Sequence, residues 1–161
     1  MTFRMLVVAM ALALGLASPA WSQTQPPPYG PPITLEAAKR VMAAAEALAE
    51  RNKYEVAITI IDSGGNMVMM HKGDNTQLSS IPTSEGKAVT ALSFKRTSKA
   101  LEDAVAAGGA GLRFLTMKGV TPIEGGVLIM QDGKITGAIG VSGTLGTQNA
   151  AVAQAGADAV K

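Results

Sequence analysis

The chain has 161 residues, a formal charge of +2 and no cysteine. Disulfides, zinc–thiolate centres and cysteine nucleophiles are therefore excluded, and a single histidine rules out a multi-histidine metal site within one chain. Lysines and arginines are scattered, and the one tryptophan is Trp21, so neither the basic face nor the base-stacking surface of a nucleic-acid binder is expected.

Arg4 precedes an apolar run from Met5 to Ala17, and small residues follow at Ala20 and Ser22. That pattern predicts a secretory signal peptide over residues 1–22, cut after Ser22, and a periplasmic or secreted protein. The apolar run is shorter than the ~20 residues a bilayer core requires, so no membrane span is expected after cleavage. About 140 residues then remain, enough for one domain held together by packing alone. Residues 23–32 (QTQPPPYGPP) are expected to form neither helix nor paired strand, because proline removes donors and fixes φ. They read as a proline-rich tether, or as an arm reaching a partner subunit, ahead of a single domain over 33–161.

From Thr34, a cap candidate, Leu35, Ala38, Met42 and Ala45 recur at helical spacing, and the helix should stop near Arg51-Asn52. Tyr54 to Ile61 is β-branched and reads as a strand, Asp62 to Asn66 as a turn, and Met67 to His71 as the returning strand. Lys72 to Pro82 reads as a polar loop. A helix follows from Thr83, its expected cap, to about Lys95. A shorter one runs from Thr97 or Ser98 to the break at Gly108-Gly109-Ala110-Gly111. Leu112 to Thr121 fits no single element. Val127 to Gln131 and Lys134 to Ser142 flank Asp132-Gly133, which supplies the positive φ of a type I′ hairpin. Gln148 to Lys161 is an alanine-rich helix. Strands joined by tight hairpins pair antiparallel, so the fold class is α+β: an antiparallel β-sheet flanked by helices.

No G-x-S-x-G elbow surrounds any serine, and a Ser-His-Asp triad would have to use His71. No catalytic constellation emerges. Gly137 to Gly143 resembles a phosphate cradle only superficially, since it lies on a hairpin arm and no Gly-Lys-Ser/Thr follows. Glycines such as Gly140 mark places where a helix or a ligand comes close to the backbone. His71 ends its strand and, by parity, shares a face with Met67 and Met69. Imidazole and thioether both ligate haem iron, although a water-exposed histidine beside core methionines fits the pattern as well. Lys87, Lys95, Arg96, Lys99 and Arg113 gather in the central helical region, where they pair with an anionic ligand or form a solvated face. Glu46 and Glu50, at i and i+4, offer a weak iron site or surface charge.

The sequence resembles the GlcG/HbpS family, related to the C-terminal domain of PduO proteins, over nearly all of residues 33–161. The resemblance rests on Ile61-Asp62-Ser63-Gly64-Gly65-Asn66, on Lys87-Ala88 with Thr90-Ala91 and Phe94, and on Thr97 and Leu101. It continues through Glu124-Gly125-Gly126-Val127, Asp132-Gly133, Gly137 to Gly143 and Ala155-Gly156. It implies a GlcG/HbpS-like sheet with profilin-like layering, homo-oligomers (dimer or octamer), and haem as the cofactor of some members. Two departures stand out. Where the family commonly carries a Gln-Asp-Glu-like stretch this chain has Gln148-Asn149-Ala150, and Lys72 stands where an arginine is common.

The expected function is an exported haem-binding protein that sequesters, carries or senses haem or another small anionic ligand. Its expected contacts are His71 as iron ligand, with Lys87, Thr90, Phe94, Arg96, Arg113, Gly140 and Ser142 around the ligand. An alternative is an enzyme or binder for a small organic acid or aromatic metabolite in an intersubunit pocket. A third is a structural subunit whose proline-rich arm grips a partner.

Overall fold

A computed structural model describes residues 25–161; the expected signal peptide lies outside them. Four helices, a 3₁₀ segment and four strands follow in the order α1 (Leu35–Arg51), β1 (Ala57–Asp62), β2 (Met67–Lys72), α2 (Ser80–Phe94), α3 (Ser98–Ala106), the 3₁₀ segment (Gly109–Leu115), β3 (Gly126–Gln131), β4 (Lys134–Ser142) and α4 (Gly146–Asp158). The strands form one antiparallel sheet in the order β2-β1-β4-β3. The α+β architecture expected from the hairpins is what forms. No helix among the described residues is long and apolar enough to cross a membrane.

The sheet has a helical layer on each face. Ile58, Ile60, Val127, Ile129, Ile139 and Val141 pack on α1 and α4 through Ala38, Val41, Ala45, Val152 and Ala153. On the opposite face Ile61, Ile135 and Ala138 pack on α2 through Ala88, Ala91 and Leu92. Period-two alternation assigns alternate residues of each central strand to these two cores, broken in β4 by a bulge around Thr136 that puts Ile135 on the α2 side.

On the α2 face, Gly126 of β3 pairs with Gly140 of β4, which in turn pairs with Thr59 of β1. A methyl on Gly140 would collide with the backbone oxygen of Ser84, and one on Gly126 with that of Lys87. Adjacent glycines thus make a flat seat on which the α2 backbone rests, and Thr59 Oγ1 reaches Ser84 Oγ at 2.8 Å beside it. At Gly140 it is a helix that comes close to the backbone.

Several boundaries differ from the expectation. α2 begins at Ser80, inside the stretch read as a loop, because Pro82 falls in the first turn, where a missing N–H costs nothing. Thr83, expected to cap, lies inside the helix and donates its N–H to Ser79 O at 3.1 Å. β1 begins at Ala57, three residues after Tyr54, and α4 begins at Gly146, two before Gln148. Part of the unassigned stretch after Gly111 is 3₁₀ helix, with Phe114 edge-on to Phe94 at 5.6 Å. A bulge at Ile60/Ile61 places Met67 opposite Ile61, on the α2 side, while His71 opposite Ile58 and Met69 opposite Ile60 face α1. Met67 therefore does not share the face of His71, against simple parity.

The proline-rich segment is also more ordered than expected from Pro28 onward. β1 leaves β4 at Gly137, and Pro28 to Ile33 takes up the vacant backbone beyond it. Ile135 N donates to Pro28 O at 2.9 Å, Gly30 N to Ile135 O at 2.8 Å and Ile33 N to Thr136 O at 2.8 Å. Pro28 contributes its carbonyl, Gly30 and Ile33 the donors. Tyr29 donates its hydroxyl to Leu92 O at 2.8 Å and stacks under Lys95 Nζ, tying the segment to α2.

Candidate functional site

The residues expected to surround one ligand are distributed over both faces of the sheet. His71 lies on the α1 side of edge strand β2, whereas Lys87, Thr90 and Phe94 are carried by α2 on the opposite face. Gly140 and Ser142, paired with Thr59 and Ala57, face α2 too. Arg96 and Arg113 are exposed beyond the end of α2, Arg96 donating to Phe94 O and Arg113 lying over the Phe114 ring. One protomer therefore does not bring His71 and these cations around a common ligand. Two separate clusters exist instead.

The first is built where α1 ends and the first hairpin begins. Glu46 of α1 projects towards β2, and its Oε1 lies 2.8 Å from His71 Nδ1. The His71 side chain is 41% exposed. With Nδ1–H donated to the carboxylate, Nε2 is the ring nitrogen left for a ligand, the arrangement by which proteins orient a metal-binding histidine. The pair lines a cavity of about 490 Å³ with Ala49, Glu50, Lys53, Tyr54, Glu55, Val56 and the turn Gly73–Asn75. Its carboxylates outnumber its one lysine. Next to that turn, Thr76 Oγ1 is buried without a hydrogen-bond partner. Among the described residues no group of three or more acidic or imidazole side chains converges as a metal cage, so Glu46 and Glu50 do not form one.

The second cluster centres on Lys87, 1% exposed in the middle of α2. The glycine seat lets α2 approach so closely that Nζ lies beside Gly125 and donates to Val141 O at 2.9 Å. Burial pulls its pKa from 10.5 down to about 8, while the Glu102 and Glu124 carboxylates oppose the shift. Gly125 adopts a φ of +126°, and a Cβ there would stand 3.1 Å from Nζ and 3.0 Å from Asn149 Cβ. Only glycine meets both demands. Glu124 donates its N–H to the Glu102 carboxylate, and a methyl on Gly146, at the start of α4, would lie 3.0 Å from Glu124 Oε2. The Glu124 carboxylate thus already occupies the electropositive end of α4. Glu124, Gly125 and Gly126 also line a second cavity of about 400 Å³ with Thr97, Lys99, Thr147 and Gln154.

Other expected contacts have structural roles. Thr90 Oγ1 accepts Thr121 N at 2.7 Å. Asn149, at a departure from the family pattern, is buried and exchanges hydrogen bonds with Thr144 at both its oxygen and its nitrogen. The Asp62–Asn66 motif folds its own turn, Asp62 Oδ1 accepting from Gly64 N and Asn66 N. Sequence reasoning missed Glu46 as a partner of His71 and gave no role to Glu102 or Glu124. Contacts across 25 and 22 positions carry no local signal.

Comparison with known proteins agrees with the fold and with the resemblance. GlcG of Escherichia coli K12 is 35% identical over 110 residues, 68% of this chain and 81% of its own length. The HbpS crystal structure superposes with a TM-score of 0.75 at 27% identity, covering 91% of this chain and 99% of that one. The crystal structure of a PduOC:haem complex gives a TM-score of 0.74 at 26% identity, covering 81% and 96%. The model of the HbpS-like family, described as "Haem degrading protein HbpS-like", matches residues 33–158. The chain belongs to the HbpS-like family.

Proposed function

We propose that this chain is an exported haem-binding protein that sequesters, carries or senses haem, with His71 as the residue that would ligate its iron. The observation that carries the reading is the Glu46–His71 pair at the wall of the 490 Å³ cavity. Membership of a family described by haem chemistry, and a structural neighbour crystallised with haem, support it. Haem, when bound, supplies a redox-active iron whose behaviour is set by its axial ligand and its surroundings.

The residues of this cavity divide the work. Glu46 holds the ring in one orientation. Ala49, Val56 and the ring of Tyr54 offer apolar contact to a flat macrocycle. Carboxylates around the rim repel propionates, so these belong at Lys53 or in solvent rather than at Lys87, Arg96 or Arg113. Export rests on the charged, apolar and small-residue pattern of residues 1–22. A homo-oligomer, dimer or octamer, is part of the proposal, as the resemblance to the GlcG/HbpS family implies.

Haemin added stepwise to the chain beginning at Gln23 tests the reading. The Soret band is expected to shift and to saturate at a fixed ratio of haem to protomer. A spectrum equal to that of free haemin throughout ends the proposal. Cell fractionation with N-terminal sequencing tests export, for which Gln23 is the expected first residue, and sedimentation velocity gives the subunit number.

A further inference from the structure

We propose that the stretch 102–124 docks the protein on the surface of a bilayer that carries anionic lipid, its leucines entering the headgroup layer and its cations meeting lipid phosphates. The stretch stands out from the domain. None of its residues is buried, and a methyl on Gly108, Gly109 or Gly119 would meet nothing within 4 Å. Yet it holds large apolar side chains in the open. Leu112 is 48% exposed and Leu115 61%, with Met117 exposed just beyond them. Residues three apart eclipse in a 3₁₀ helix, so Leu112 and Leu115 make one apolar edge of the Gly109–Leu115 segment, while Phe114 turns inward onto Phe94.

The charge pattern decides what covers that edge. Arg113 and Lys118 are the only charged residues between Asp103 and Glu124, and Arg96 is exposed at the foot of the stretch, donating to Phe94 O. A second copy meeting the same edge face to face would set these cations against themselves, so the complementary partner is anionic. The surface is also convex. No residue between 100 and 123 lines any of the cavities at His71, at Glu124 or at Asp132, so the edge offers no groove to a peptide. Exposed leucines flanked by arginine and lysine are the composition that settles into a membrane interface without spanning it. Each cation near an anionic surface adds attraction, and salt screens it. Phe94 belongs to α2, which covers the sheet face opposite α1, so a docked molecule keeps His71 and its cavity turned towards water. Nothing in the haem proposal is required for this one.

Flotation with lipid vesicles tests the docking, using the chain that begins at Gln23. Vesicles of equal parts phosphatidylglycerol and phosphatidylcholine are expected to carry the protein up the gradient at low salt, and vesicles of phosphatidylcholine alone to leave it behind. No flotation with the anionic vesicles, or equal flotation with both kinds, overturns the proposal. Arg113→Gln combined with Lys118→Gln is expected to weaken binding about thirtyfold, from two cations lost near the surface. Leu112→Ser combined with Leu115→Ser is expected to weaken it at least about tenfold. Both pairs are exposed, so circular dichroism and the unfolding midpoint should match the wild type. Undiminished flotation of either double variant also overturns the proposal. Sedimentation velocity should give the leucine variant the same mass as the wild type; a smaller assembly would assign the edge to contact between copies instead.

Discussion

His71 and Lys87 occupy opposite faces of one sheet, and the fold treats them differently. His71 stands on an edge strand, partly open, held by a single carboxylate from α1. Lys87 is enclosed by α2, β4 and the Gly125-Gly126 turn, and its place depends on two glycines that let a helix lie against the strands. The first arrangement is a pair of side chains set on a finished surface; the second is part of the packing. Substitutions at His71 should therefore change binding with little effect on stability, whereas those around Lys87 should change stability itself.

The largest effect that tests this contrast is expected at the glycine seat. Gly140→Ala pushes a methyl into the α2 backbone, which cannot move aside as a flexible side chain would. A loss of at least about 3 kcal/mol by urea denaturation is expected, at the upper end for overpacking; a near-neutral result would mean that α2 is not seated as described.

Lys87 gives the next largest effect, through pH. Its pKa is about 8 when folded against an ordinary 10.5, so the unfolded chain binds the extra proton between those values. Stability contributed by this group therefore rises with pH through that window, and below pH 8 the cost of burying the charge is fully present. At about 1.4 kcal/mol per pK unit, the wild type should gain up to about 3 kcal/mol relative to Lys87→Met on going from pH 7 to 10.5. Parallel stability–pH curves for the two proteins would remove the effect.

At the other face, His71→Ala should weaken haemin binding about a hundredfold, the loss of its iron ligand, while shifting unfolding free energy by less than about 0.5 kcal/mol. An unaltered titration would take the ligand role from His71 and leave haem binding itself untouched. Glu46→Gln comes last, with about tenfold weaker binding expected from loss of the orienting carboxylate. Equal affinity in that variant would mean the ring needs no such partner.

How far these regions were legible in the sequence follows the range of the interactions. Thr34 caps α1, with its hydroxyl accepting Ala37 N at 3.2 Å, as its position predicts. Asp132 and Gly133 adopt φ values of 49° and 72°, as an Asp-Gly hairpin turn requires. Both are local devices, settled within a few residues. The bulge at Ile60/Ile61 is settled by pairing across strands, so alternation alone put Met67 on the wrong face. Pro82 read as a loop signal because proline is permitted in a first helical turn as readily as outside one. Lys87 was read as a ligand contact from its charge, and nothing adjacent to it announces burial. That depends on Gly126 and Gly140, 39 and 53 positions away, making room for its helix.

The Pro28–Ile33 segment has its own implication for handling the protein. It fills a gap where β4 would otherwise leave Ile135 and Thr136 backbone groups bare beside an apolar core. A chain shortened to begin at Ile33, where the family match begins, uncovers a ready-made template for any extended peptide. The segment of a neighbouring molecule carries the right donors and acceptors to fill it, so trimming the start of this protein turns an internal closure into an adhesive strip.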